Sequence, residues 1–106
     1  MTDRELLEWA AKAAGMVIHW NAKREQFFHD YCDGLTDEWN PLTDDGDALR
    51  LAVELEFTVS TWGEEVAIWQ GDGDGRETFE PITTDRLAST RRAIVRAAAE
   101  IGKEMP

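Results

Sequence analysis

Cysteine is almost absent from this 106-residue chain: Cys32 stands alone. That excludes an internal disulfide and a cysteine-clustered zinc site, and it suits a reducing compartment. Long apolar runs are missing as well. The longest are a few residues, against the roughly 20 needed to cross a bilayer, and Met-Thr-Asp-Arg-Glu opens the chain with no apolar signal core behind it. The expectation is a soluble, unexported, cytoplasmic protein with no membrane contact. Basic residues are scarce, 11 Lys and Arg against 22 Asp and Glu, for a net charge of −11. A balance of that sign disfavours direct nucleic-acid binding. Repeats, linkers and low-complexity tracts are absent apart from Gly71-Asp-Gly-Asp-Gly75. No Gly-rich phosphate loop and no Gly-x-Ser-x-Gly elbow occurs, so the usual nucleotide and hydrolase signatures are missing.

What is present argues for a folded chain. Hydrophobic residues make up 42% of the sequence, including five Trp and four Phe, too much for a disordered acidic tail. The length argues for one domain spanning residues 1–106. Thr2 with Glu5 three positions on, followed by Leu6, Ala10, Ala13 and Ala14 on one stripe and by Gly15, predicts a capped helix. Met16 to Trp20 and Gln26 to Cys32 read as two strands of a hairpin. Thr43-Asp-Asp-Gly-Asp47 precedes Leu49, Ala52 and Val53 at helical spacing, which predicts a second helix over about 44–55. Phe57 to Trp62, Glu65 to Gln70 and Glu77 to Glu80 form a predicted meander. A last helix opens near Thr84 and Asp85, with Leu87, Ile94, Val95, Ala98 and Ile101 as its apolar stripe. Apolar groups on both faces of the first strands imply a sheet covered on both sides. The expected fold is α+β: a single-domain α/β/α sandwich with a mostly antiparallel sheet of four to five strands and three helices.

Three segments carry a resemblance: Met1-Thr-Asp-Arg-Glu-Leu-Leu-Glu-Trp-Ala-Ala-Lys-Ala-Ala-Gly15, Trp39-Asn-Pro-Leu-Thr-Asp-Asp-Gly-Asp-Ala-Leu-Arg-Leu-Ala-Val53 and Thr90-Arg-Arg-Ala-Ile-Val-Arg-Ala-Ala-Ala-Glu-Ile-Gly102. Together they resemble the phage ABA sandwich domain family, small proteins of phages and prophages. The resemblance covers the three predicted helices, roughly half of the chain. It implies an α/β/α layering and a bacterial host cell, and it carries no activity and no catalytic residue.

Charge is concentrated in the middle of the chain, where residues 25–80 hold sixteen acids against two bases. Such a region steers cationic partners. Asp44, Asp45 and Asp47 precede an apolar periodic run, where capping accounts for them better than cation binding does. Asp72-Gly-Asp-Gly75 begins like a calcium loop, but Arg76 stands where the third acidic ligand is required and Thr83 at the twelfth position. A hairpin turn is the better reading. His19, His29, Asp30 and Cys32 fall on the first hairpin without the spacing of a nucleophilic or metal site. Arg92, Arg96 and Lys103 share a stripe with Glu100 and Glu104 that reads as a paired, solvated helix face. Five Trp exceed the needs of a small core, and Trp39 and Trp62, near loops, are the two expected at the surface.

The sequence therefore points to a non-enzymatic, cofactor-free, metal-free accessory protein that binds a host or phage protein with a basic surface. Inhibition of a nucleic-acid-handling defence complex is one use of such a surface. Its expected interaction residues are Asp30, Asp33, Asp37, Glu38, Trp39, Trp62, Glu64, Glu65, Asp72 and Asp74. The alternative is a structural or self-associating module whose charge serves solubility; homo-oligomerisation is open on either reading.

Overall fold

The computed structural model describes residues 1–30, 36–71 and 77–106. In chain order the described residues form α1 (Asp3–Ala13), β1 (Ile18–Asn21), β2 (Gln26–Asp30), β3 (Thr36–Glu38), α2 (Asp45–Glu54), β4 (Phe57–Ser60), β5 (Glu65–Gln70), β6 (Glu77–Pro81) and α3 (Arg86–Glu104). Each helix starts where a side-chain acceptor satisfies an otherwise orphan N–H. Asp44 accepts from the Asp47 N–H at 2.8 Å and Asp85 from the Ala88 N–H at 3.0 Å. Thr2 completes a capping box with Glu5. Hydrogen bonds from the Thr2 hydroxyl and backbone N–H hold the Glu5 carboxyl below the ordinary carboxylate range.

The strands form two antiparallel sheets of three, ordered β1-β2-β3 and β4-β5-β6. This corrects the single sheet of four to five strands. Each meander closes on its own neighbours in sequence, and α2 separates them, so no described strand of one set pairs with the other. The strand missed in the sequence is β3, Thr-Asp-Glu, whose three residues are all exposed and carry no apolar alternation.

Two-sided helical cover is also corrected, for the second sheet. In its register Val59 lies opposite Ile68 and Val66 opposite Glu80, and directly opposed residues share a face. On that face Val66 and Ile68 are fully buried, α3 packs on β5 and β6, and Glu80 meets Arg92 and Arg96 of α3. The opposite face carries Thr58, Ser60, Ala67, Trp69, Glu77 and Phe79, and Phe79 is 47% exposed. Among the described residues the sheet is thus packed on one side, as antiparallel sheets commonly are.

The core joins Leu6, Leu7, Ala10 and Ala11 of α1 to Ala93, Ile94, Val95, Ala97, Ala98 and Ala99 of α3, with Ala48, Leu51 and Ala52 of α2 and with Phe27, Trp39, Val66 and Ile68. Leu49 and Val53 of α2 and Leu87 of α3, expected on inward stripes, point outward instead. Burial on α2 runs through Asp47, Ala48, Leu51 and Ala52, one position earlier than the sequence pattern suggested.

Trp39 is a further correction: it is 4% exposed, not a surface residue. The segment after it is drawn inward. The Asn40 N–H donates to Asp47 Oδ2 at 2.9 Å, and Arg91 Nε of α3 donates to the Leu42 carbonyl at 2.8 Å. A residue at the root of so tethered a loop is carried into the core with it.

Candidate functional site

The expected surface residues divide between the two sheets. On the first sheet, Asp30 and His19 are cross-strand neighbours with His19 Nδ1 at 2.9 Å from Asp30 Oδ2, and His19 stacks on Phe28. Arg24 lies over the same Phe28 ring and pairs with Glu38 at 3.3 Å. Two of the expected free anions, Asp30 and Glu38, are therefore engaged within the chain, while Asp37 stays exposed on the edge strand. Among the described residues no group of three His, Cys, Asp or Glu converges in a way that could hold a cation. Cys32 and Asp33 lie outside the described residues.

The edge strand also forms one wall of a cleft of about 920 Å³ between the first sheet and α2. His29 and Asp37, opposite one another in the register, line it with Glu38 and Trp39; Asp44, Asp47, Arg50 and Glu54 line the α2 side. Carboxylates predominate, but Asp47 is already committed. One of its oxygens accepts from the Asn40 N–H and the other pairs with Arg50 at 2.9 Å. Asp44 caps the helix, and Asp45 pairs with Arg91 at 2.7 Å. The acidic triplet before α2 is thus spent on holding that helix in place.

On the second sheet the β4–β5 hairpin ends in Trp62-Gly-Glu-Glu65, where Gly63 takes the positive φ that the turn requires. Trp62 is 85% exposed, and Glu64 and Glu65 beside it are exposed as well. The hairpin is pinned behind its tip: Arg86 of α3 donates to the Thr61 carbonyl, and the Ile82 N–H donates to the Glu64 carbonyl at 2.9 Å. A rigid turn therefore presents an indole and two carboxylates outward. The sheet face adjoining it adds the half-buried Trp69 and the exposed Phe79 and Glu77, none of which the sequence singled out as surface. The signal was present in β6, where Phe79 lies out of phase with Thr78 and Glu80, but reading it needs the register. Asp72 and Asp74 lie outside the described residues.

The bases explain why these carboxylates are left over. Arg92 pairs with Asp3 and Glu80, Arg96 with Glu80, and Lys103 with Glu100, so the basic stripe of α3 is consumed internally. Arg4, Arg24, Arg50 and Arg91 likewise reach acids of the chain, and Lys12 reaches the Met105 carbonyl. No family model, curated protein or solved structure matches the chain.

Proposed function

We propose that the chain is a non-enzymatic protein-binding module that takes a partner with a basic surface. The observation that carries this reading is the β4–β5 tip, where Trp62 stands 85% exposed beside the exposed carboxylates of Glu64 and Glu65. An exposed indole on a pinned turn is a costly arrangement in water and a common anchor in an interface. Carboxylates around it accelerate encounter with a cationic surface. The resemblance of its helical segments to the phage ABA sandwich family extends the proposal to a phage or prophage accessory protein acting in a bacterial host, with a nucleic-acid-handling defence complex as its target. Self-association through the β3 edge is disfavoured, because the exposed Asp37 of two copies would be brought together there.

The test is capture from host lysate at low and high salt with the native chain and with a variant carrying Asp37→Asn, Glu64→Gln, Glu65→Gln and Glu77→Gln. A partner held by the native chain at low salt, lost at high salt and lost by the variant supports the proposal. A partner retained equally by both, with the same salt response, refutes it.

A further inference from the structure

The second sheet buries Val66 and Ile68 under α3, and no described helix or strand covers its other face. The register fixes what that face displays. Trp69 lies between Thr58 and Glu77, Ala67 between Ser60 and Phe79, and Glu65 is opposite Pro81 at the end nearer Trp62. Trp69 and Phe79 are diagonal neighbours on adjacent strands. Phe79 is exposed and Trp69 half-buried, and neither is among the buried core residues. The face is therefore an aromatic strip with a carboxylate at each end, Glu65 and Glu77, and Glu64 just beyond. No described Lys or Arg lies on it.

We propose that this open face is a docking surface for a segment of a partner protein whose apolar side chains are flanked by Lys or Arg. The inference rests on the reading of the chain as a binder of basic proteins and names the face and the chemistry of its occupant. Charge selects that occupant. A second copy would set Glu64, Glu65 and Glu77 against their equivalents in molecules that each carry a net charge of −11, and like charges opposed across an interface are strongly disfavoured. Among the described residues no Arg is left to neutralise the strip, because each is engaged with acids or, for Arg86, with the Thr61 carbonyl. A purely cationic segment would leave Trp69 and Phe79 uncovered, whereas an amphipathic one covers the rings and meets the carboxylates at either end.

The experiment follows the five Trp indole N–H resonances, and the backbone amides, of the full-length chain during titration with three synthetic peptides of equal length: alternating Lys-Leu, alternating Glu-Leu, and all Lys. The Lys-Leu peptide is expected to move the Trp62 and Trp69 indoles and the amides of β5 and β6, while Trp39 stays unmoved. The Glu-Leu peptide moves nothing, and the all-Lys peptide binds at least about tenfold more weakly. Phe79→Ser, at an exposed position, should weaken Lys-Leu binding by about tenfold. Glu65→Lys with Glu77→Lys should transfer preference to the Glu-Leu peptide. Basic peptides whose shifts are confined to Trp39, Asp37 and the α2 side of the cleft would overturn this face while leaving the basic-partner reading intact. Silence toward all three peptides would overturn both. Shifts of Trp62 and Trp69 on concentrating the chain alone would make a second copy the occupant and overturn the proposal.

Discussion

Trp39 is held by its surroundings. Its N–H donates to the Phe27 carbonyl at 3.0 Å, its carbonyl accepts from Gln26 Nε2 at 3.0 Å, and its ring belongs to the core with Leu7 and Phe27. Trp62 has no comparable enclosure and stands in solvent. Replacing each by Ala separates packing from display. Trp39→Ala should cost about 3–5 kcal/mol, the loss of a buried aromatic together with its cavity. Trp62→Ala should change stability by less than about 0.5 kcal/mol. Urea denaturation of the two variants checks this, and comparable losses would mean that Trp62 is structural. Both residues look alike in the sequence, each near a loop and beside acids. What distinguishes them is the pair of bonds from Asn40 to Asp47 and from Arg91 to Leu42, which span 7 and 49 positions and leave no local signature.

At the scale of elements, α1 and α3 pack closely against one another. Small residues allow it: Ala10 and Ala11 on one helix, Ala97, Ala98, Ala99 and Gly102 on the other, all buried. At Gly102 an added Cβ would fall 2.0 Å from the Trp9 carbonyl oxygen. Gly102→Ala gains about 1 kcal/mol of helix propensity, yet the helices must separate to admit the methyl group. Overpacking of this kind costs about 1–3 kcal/mol and outweighs the gain because the obstacle is backbone. Thermal denaturation should therefore show a lower midpoint for Gly102→Ala, and a higher one would refute the close crossing. The helices themselves were legible: capping residues at Thr2, Asp44 and Asp85 precede apolar periodic runs, and each helix begins where that grammar places it. The polar three-residue β3 was not, since a short edge strand with both faces in water needs no alternation.

For the whole molecule the governing quantity is the excess of carboxylates. Arg4, Arg91, Arg92, Arg96 and Lys103 of the two terminal segments pair with acids of the chain, so the residual negative charge collects on the sheets and their turns. Its self-repulsion is long-ranged at low salt and screened over about 3 Å at 1 M. Adding sodium chloride should accordingly raise the melting midpoint by several degrees, because relief of repulsion outweighs the loss of exposed ion pairs worth roughly 0–1 kcal/mol each. A falling midpoint in a salt series followed by circular dichroism would show that the pairs dominate. The sequence by itself determined the acidic character, the presence of a single cysteine, the three described helices with their starts and the approximate positions of five of the six described strands, because composition, caps and periodicity are local properties. Only the tertiary structure decided that the described strands form two sheets, that Trp39 goes inward while Trp62 stays out, that Asp30 and Glu38 are engaged by His19 and Arg24, and that no described element covers one face of the second sheet. Those outcomes depend on register and on contacts between distant segments, where a shift of one residue exchanges the buried face of a strand for the exposed one.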